Sequence, residues 1–194
     1  MTKVAVVFAD GCEEVEGLSV IDVLRRLGVQ ADMVGLTSKD VLGDHNIKLT
    51  CDKIVDESLL DYDLVAFPGG KTGAENLRDN QLLKSLMVQR HENQQWDAAM
   101  CAAPIALARY GVLNDVNYTC YPGFDTQTKH DAPSGNFKED ITVTDSDQRV
   151  ITSRGPATAW AFAYAIAEAL GIDTTALKQG MLYEYLGDHI QDSL

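Results

Sequence analysis

A cysteine at the end of a short apolar run is the residue of this sequence best placed to do chemistry. Residues 96–104 read WDAAMCAAP, so Cys101 follows small and apolar residues and is itself followed by Pro104. This pattern predicts a strand, a tight turn with the sulfur at its tip, and a helix, which is the layout of a nucleophile elbow. Two interpretations are open at this point: a nucleophilic thiol, or a buried cysteine that packs as a small hydrophobe.

Three glutamates supply the second group that such a thiol would need. Glu13, Glu14 and Glu16 follow the first apolar run of the chain. A charged carboxylate beside a thiol raises the pKa of the thiol, whereas a protonated carboxyl donates a hydrogen bond to the thiolate. A glutamate that serves Cys101 must therefore be neutral at rest or act as the base that moves protons. The alternative is that these residues stabilise the start of a helix.

Gly69 and Gly70 follow another apolar run, and small residues there allow close approach of the backbone. The N–H groups of Gly70 and Ala102 are candidates for an oxyanion site. A cysteine at the start of a helix is also favoured as thiolate by the helix dipole. An ordinary turn after a strand is the alternative for the two glycines.

Strand and helix patterns alternate along the chain, and the elements they predict would position Cys101, the glutamates and the glycines. The valine-rich run 3–8 is typical of a strand buried on both faces, and a helix from Glu13 to Gly28 and a strand over 31–36 follow it. Further predicted elements are a small hairpin over 41–51, strands over 63–67, 98–101, 117–120, 141–143 and 149–152, and helices over 74–77, 81–93, 104–110, 157–170 and 174–187. The pattern predicts one doubly wound α/β domain over 1–194, with the glutamates, glycines and Cys101 at the carboxyl ends of its parallel strands.

Composition excludes several classes of protein. The chain has 194 residues, 45% hydrophobic, with a formal charge of −13. An acidic surface repels phosphate backbones, so no nucleic-acid partner is expected. We find no membrane-length apolar run and no signal peptide, because the run 4–9 stops at Asp10. We therefore predict a cytoplasmic protein whose four cysteines are free thiols.

Two motifs suggest other chemistry and fail on inspection. The segment PGGKT at 68–72 resembles the end of a phosphate-binding loop, but that motif requires glycine at position 65, which is Val65. His45, His91, His130 and His189 are scattered among polar residues, with neither metal-ligand spacing nor an evident pairing with Cys101. The sequence therefore predicts no metal site and no nucleotide hydrolysis.

Four motifs carry a family resemblance. In chain order they are FADGCEEVE at 8–16, FPGG at 67–70, AMCAAP at 99–104 and TSRGP at 152–156. Together they resemble the ThiJ/PfpI superfamily, in the branch related to the parkinsonism-associated protein deglycase, from Val4 to about Gly171.

The resemblance implies a flavodoxin-like α/β sandwich, a mostly parallel sheet with helices on both faces, and a homodimer. It implies that Cys101 is the reactive cysteine at a strained elbow and that Glu16, as the protonated acid, hydrogen-bonds its sulfur. Gly69 and Gly70 match the loop facing the sulfur, and Arg154 matches an arginine near the pocket and the dimer interface.

The chain also departs from parts of the superfamily. Ala102 stands where protease-like members carry histidine, which argues against a peptidase. Tyr121 precedes Pro122 where the deglycase branch often has a histidine, and a phenol is a poor base at neutral pH. Cys12 and Cys120 are unusual neighbours that we expect near the same pocket.

Two functions follow as expectations. The first is a cofactor-free glyoxalase or deglycase, in which Cys101 attacks methylglyoxal, glyoxal or an early glycation adduct and Glu16 moves the proton. The second is a redox-sensing stress protein or chaperone whose Cys101 oxidises to sulfinic acid. A disulfide from Cys101 to Cys12 or Cys120 is a weaker alternative, since it requires close Cα atoms.

Overall fold

The core of the molecule is a seven-stranded sheet. The computed structural model describes residues 1–190, so the last four residues of the predicted domain lie outside the described part. The strands of this sheet are β1 (Lys3–Phe8), β2 (Gln30–Gly35), β5 (Lys53–Ile54), β6 (Leu64–Phe67), β7 (Trp96–Met100), β10 (Thr142–Asp145) and β11 (Val150–Ser153). Their order across the sheet is β10-β11-β7-β6-β1-β2-β5, and all neighbours are parallel except β10 and β11.

The direction of winding changes at β1, which pairs with β2 on one side and with β6 on the other. In open α/β sheets, ligands bind outside the carboxyl ends of the strands at such a switch. Every residue from Val4 to Phe8 and from Leu64 to Phe67 is buried, as the continuous apolar runs predict. The sheet thus directs the ends of β1 and β6 toward one crevice.

Helices cover the sheet, and α1 packs against α6 while α2 packs against α4. The helices are α1 (Glu14–Arg26), α2 (Lys71–Asp79), α3 (Gln81–Glu92), α4 (Pro104–Arg109), α5 (Asp125–Asp131), α6 (Ala159–Ala169), α7 (Thr175–Gly180) and α8 (Tyr183–His189). Among residues 1–190 no helix combines the length and the apolar character needed to cross a bilayer.

Two small sheets lie outside the main one. The predicted hairpin consists of β3 (Asp40–Leu42) and β4 (Lys48–Thr50), while β8 (Asn117–Tyr118) pairs with β9 (Asn136–Phe137). The hairpin is fixed to the turn after β1, because the Gly11 N–H donates to the Leu42 carbonyl and the Asp44 N–H donates to the Cys12 carbonyl. It therefore borders the crevice at the end of β1.

A buried ion pair secures the start of β7. The fully buried Arg90 donates from Nε to Asp97 Oδ1 at 2.9 Å and from its other nitrogens to the carbonyls of Leu59, Tyr62 and Trp96. Burial raises the pKa of Asp97 to about 6, against the opposing effect of Arg90. This guanidinium joins α3, β7 and the segment before β6.

The C-terminal helix prediction is wrong in one respect. The helix expected over 174–187 is two helices, α7 and α8, because Leu182 between them has a left-handed backbone with φ 57°. The helix α6, expected to be almost wholly buried, leaves Trp160 44% exposed. The short elements β5, α5 and β9 were not predicted, since each is too short to carry a clear hydrophobic period.

Candidate active site

Cys101 forms a sharp turn between β7 and α4. Its φ of 60° lies in the left-handed region, which is uncommon for residues other than glycine. Two backbone hydrogen bonds hold it there: its N–H donates to the Ser153 carbonyl at 2.9 Å, and its carbonyl accepts from the Tyr121 N–H at 2.8 Å. Cys101 is 8% exposed. A strained backbone held by surrounding structure is a feature of reactive sites.

The sulfur of Cys101 lies among hydrogen-bond donors. The backbone N–H groups of Gly70 and Ala102 donate to it, and the Glu16 side chain also hydrogen-bonds it. Burial, followed by the charged form of Glu16, raises the pKa of the thiol, while the two N–H groups lower it. The N–H groups expected to form an oxyanion site therefore act on the sulfur itself.

Glu16 is fully buried. Its Oε2 accepts the Gly69 N–H at 2.7 Å, and its Oε1 has no nitrogen or oxygen partner among residues 1–190. Burial raises the pKa of Glu16 to about 7, although the hydrogen bonds from Gly69 and Cys101 oppose this rise. Near neutral pH the carboxyl thus exists in both forms. In its neutral form it no longer repels a thiolate and donates a hydrogen bond to the sulfur instead.

Close packing requires glycine at two positions beside this pair. A Cβ at Gly69 would lie 2.6 Å from the Cβ of Cys101 and 2.9 Å from Oε2 of Glu16. Gly70 has φ 81°, and a Cβ there would lie 2.3 Å from the Gly11 carbonyl oxygen. An ordinary turn does not account for these approaches. The glycines allow α1, β6 and the elbow to meet around the sulfur.

The other two glutamates serve the hairpin rather than the sulfur. The buried Glu14 accepts the His45 N–H at 2.8 Å and lies 2.9 Å from His45 Nδ1. Although burial opposes it, these hydrogen bonds hold the pKa of Glu14 below its ordinary value. Glu13 occupies the N-cap position of α1 but its side chain makes no capping hydrogen bond. Of the three, Glu16 alone hydrogen-bonds Cys101 in the described part of the chain.

One group of side chains has the composition of a metal site. Glu13, Asp44 and His45 bring ligand atoms within 4.8 Å of one another, although the sequence predicted no metal ligands. The His45 Nδ1 lies 2.9 Å from Glu14 Oε2 and 3.7 Å from Glu13 Oε1. These ion pairs account for the cluster.

Arg154 and Tyr121 border the elbow from the other side. Arg154 follows Ser153, whose carbonyl holds Cys101; its Nη2 lies 3.7 Å from Glu139 and its buried Nη1 has no partner within residues 1–190. Tyr121 contacts Cys101 through the backbone and is 44% exposed. The structure therefore brings Cys101, Glu16, Gly69, Gly70 and Ala102 into direct contact and sets these two residues at the edge.

The remaining cysteines differ from Cys101. All four are free thiols and all four are buried. Burial raises the pKa of Cys12 and of Cys120 to about 12 and raises the pKa of Cys101 as well, so the difference lies in the hydrogen bonds to the sulfur. Neither thiol has the pair of N–H donors that Cys101 receives, so neither is a comparable nucleophile.

Sequence reasoning missed the contacts that lie between distant segments. The hydrogen bonds between His45 and Glu14 were not predicted, because the sequence indicates only a surface position for His45. The contact of the Ser153 carbonyl with Cys101 and the contact of the Phe124 ring with Tyr121 could not be predicted from residue types, although both residues lie in or near the motifs named above. Such contacts depend on the register of β11 against β7, which periodicity does not reveal.

A parallel α/β sheet with a strained cysteine after an interior strand, hydrogen-bonded to a buried carboxyl, defines a nucleophile-elbow protein of flavodoxin-like fold. The model of the DJ-1/PfpI family matches residues 2–169. The chain belongs to the DJ-1/PfpI family.

Comparison with known proteins agrees with this assignment. The chain is 34% identical over 173 residues to the Drosophila melanogaster protein dj-1beta, covering 88% of this chain and 90% of that protein. A crystal structure of Drosophila melanogaster DJ-1beta superposes with a TM-score of 0.85 at 31% identity, covering 93% and 97% of the two chains. The chain is also 30% identical over 163 residues to the Caenorhabditis elegans glutathione-independent glyoxalase DJR-1.2, covering 83% and 84%.

Proposed function

We propose that this protein is a cysteine-dependent enzyme of glyoxalase or deglycase type, acting on reactive dicarbonyls such as methylglyoxal and glyoxal. The observation that carries the proposal is the contact between the Cys101 sulfur and the buried Glu16 carboxyl, whose pKa is raised to about 7 by burial. A group with a pKa near the working pH is suited to accept and return protons. The relative named as a glutathione-independent glyoxalase supports the same chemistry.

The first step joins sulfur to the aldehyde. Charged Glu16 accepts the thiol proton of Cys101, and the sulfur electron pair forms a bond to the aldehyde carbon. The carbonyl π electrons move to oxygen, which takes the proton back from Glu16. The product is a hemithioacetal, and Glu16 is again a carboxylate.

A proton rearrangement and one hydrolysis complete the reaction. Glu16 removes the proton from the former aldehyde carbon to give an enediolate, and the hydroxyl proton on that carbon passes to the former ketone oxygen. Glu16 then returns its proton to the neighbouring carbon, so the hemithioacetal becomes the thioester of a 2-hydroxy acid. Water then adds to the thioester and releases lactate from methylglyoxal or glycolate from glyoxal, with the Cys101 thiol restored. No metal or organic cofactor enters these steps. A deglycase would begin from the early adduct of the same dicarbonyl with an amine or thiol.

Methylglyoxal consumption and lactate formation test the proposal directly. We expect turnover by the wild type, loss of turnover in Cys101→Ala, and a strong decrease in Glu16→Gln, which cannot exchange a proton. Cys51→Ala serves as the control, because Cys51 is also a buried thiol and its backbone N–H donates to the Lys39 carbonyl rather than to the elbow. Absence of wild-type turnover, or equal rates in Cys101→Ala, would contradict the proposal.

A redox-sensing role is the second candidate, favoured by the donors around the sulfur. The N–H groups of Gly70 and Ala102 and a neutral Glu16 would all donate to the oxygens of a cysteine sulfinate. Mass spectrometry after mild peroxide treatment distinguishes this role. It predicts addition of two oxygen atoms to Cys101 and a lower yield in Glu16→Gln; oxidation of Cys12 or Cys120 with Cys101 unmodified would exclude it.

A further inference from the structure

Tyr121 is fixed to the nucleophilic residue yet takes no part in the proton transfers described above. Its N–H donates to the Cys101 carbonyl at 2.8 Å. The preceding Cys120 is fully buried, whereas 44% of Tyr121 is exposed. A solvent-accessible aromatic residue is thus held by its backbone next to the nucleophilic residue.

The ring of Tyr121 has a defined place on the protein surface. A Cβ at Gly155 would lie 3.1 Å from Cδ2 and 3.3 Å from Cε2 of Tyr121, so the ring occupies the space above this glycine. The Phe124 N–H donates to the Tyr121 carbonyl at 3.1 Å, and the two rings meet edge to face with centroids 6.5 Å apart. Backbone and ring contacts therefore hold Tyr121 and Phe124 next to each other, and we call these two residues the aromatic wall.

A polar group lies next to the aromatic wall in sequence. Arg154 precedes Gly155, and its buried Nη1 has no hydrogen-bond partner in the described chain. A guanidinium nitrogen only donates hydrogen bonds, so its partner would be an acceptor such as an oxygen. Arg154 thus carries an unused donor in the residue next to Gly155, which the Tyr121 ring covers.

We propose that the aromatic wall sets the substrate class: it selects dicarbonyls whose ketone carbon carries an alkyl or aryl substituent over glyoxal, which carries hydrogen there. The inference rests on the proposed function, since the aldehyde of the same substrate is the group that Cys101 attacks. The substituent lies against the rings of Tyr121 and Phe124. Contacts of this aromatic type change a rate or affinity by about twofold to tenfold.

Initial rates with glyoxal, methylglyoxal and phenylglyoxal test the selection. We expect the wild-type kcat/KM to increase along this series and the ratio of phenylglyoxal to glyoxal to fall about twofold to tenfold in Tyr121→Ala. Tyr121→Phe keeps the ring and should keep the ratio. Tyr185→Ala removes an exposed tyrosine on α8 and is the control. An equal loss for all three substrates in Tyr121→Ala would indicate a structural role and overturn the inference.

Alkylation of Cys101 gives a second measurement that does not need turnover. The rate of carboxamidomethylation by iodoacetamide is compared with the rate for its N-phenyl derivative, by mass spectrometry of the Cys101 peptide. The aromatic wall predicts a preference for the phenyl reagent that Tyr121→Ala reduces and that Tyr121→Phe and Tyr185→Ala retain. An unchanged preference in Tyr121→Ala, or the same reduction in Tyr121→Phe, would overturn it.

The two measurements separate the inference from the proposed function. If the wild type consumes no dicarbonyl but the alkylation preference depends on the Tyr121 ring, the proposed reaction fails and the selective surface stands. If Cys101 turns over dicarbonyls while both ratios are unchanged in Tyr121→Ala, the reaction stands and the selective surface fails.

Discussion

At the scale of single residues, the protonation of Glu16 makes the stability of the folded chain depend on pH. Its pKa is raised from 4.5 to about 7 by burial, so the folded chain binds a proton that the unfolded chain releases between these values. The favourable contribution of neutral Glu16 is complete below pH 4.5 and is lost as the pH rises through about 7. The loss amounts to about 3 kcal/mol.

Glu16→Gln should remove this dependence. Between pH 5 and pH 8, the free energy of unfolding of the wild type should fall by up to about 3 kcal/mol relative to that of Glu16→Gln, because the amide of the variant cannot ionise. Urea denaturation at both pH values measures the difference. The exposed Glu57→Gln is the control, and its profile should run parallel to the wild type. A constant difference between Glu16→Gln and wild type would contradict the prediction.

Gly69 is the second residue whose replacement has a calculable effect. In Gly69→Ala the new methyl group meets the Cys101 Cβ at 2.6 Å, so the elbow or β6 must shift. We expect a loss of about 1–3 kcal/mol in stability and slower alkylation of Cys101. Gly180→Ala, whose methyl group meets no atom of residues 1–190 within 4 Å, should leave both unchanged or slightly stabilise the chain. Equal alkylation rates for the two variants would show that packing at Gly69 does not affect the sulfur.

Much of the site could be predicted at this scale, and the limit is physical. Cys101 and Gly70 stood out because small residues and turns have local signatures. The choice of Glu16 among three glutamates came only with the family resemblance, since composition treats them alike. The structure separates them by direction: Glu16 points to the sulfur and Glu14 to His45.

At the scale of elements, the fold was predictable where the chain alternates strongly. The runs ending at Phe8 and Phe67 became β1 and β6 with bounds close to those expected. The break at Leu182 was not predictable, because its left-handed backbone occurs at a residue with no preference for that conformation. Short elements such as β9 form from pairing between distant segments, which single-sequence patterns do not contain.

The anchoring of β7 by Arg90 yields a prediction about elements. Arg90→Met leaves the buried Asp97 without its ion-pair partner and removes one donor from each of three carbonyl groups. We expect a loss of about 3–5 kcal/mol in the free energy of unfolding. Arg25→Met, which breaks a half-exposed pair with Asp52, should cost less than about 1 kcal/mol. Urea denaturation compares the two, and similar losses would refute the anchoring role.

At the scale of the whole molecule, we predict from the net charge of −13 that nucleic acid is not a partner, since its phosphates would be repelled. The partner that the family resemblance suggests is a second copy of this chain, and we propose a homodimer on that basis. Two apolar side chains, Val15 and Leu18, are exposed three residues apart on one side of α1. They offer a surface for such contact.

Sedimentation velocity tests the homodimer. We expect the wild type to sediment as a dimer and Leu18→Asp to shift toward monomer, since a charge in an apolar contact is unfavourable. Leu82→Asp on α3, where Leu82 is 50% exposed, is the matched substitution and should remain dimeric. A monomeric wild type would disprove the dimer, and a dimeric Leu18→Asp would place the contact elsewhere.

The left-handed backbone of Cys101 has a consequence for how this sequence changes over generations. Glycine adopts φ 60° without strain, so folding alone would favour glycine over cysteine at position 101. Mutation toward a more stable protein would therefore tend to erase the sulfur unless the organism needs it. We therefore infer that the sulfur at the tip of this elbow is retained for its reactivity, at the expense of the stability of the chain.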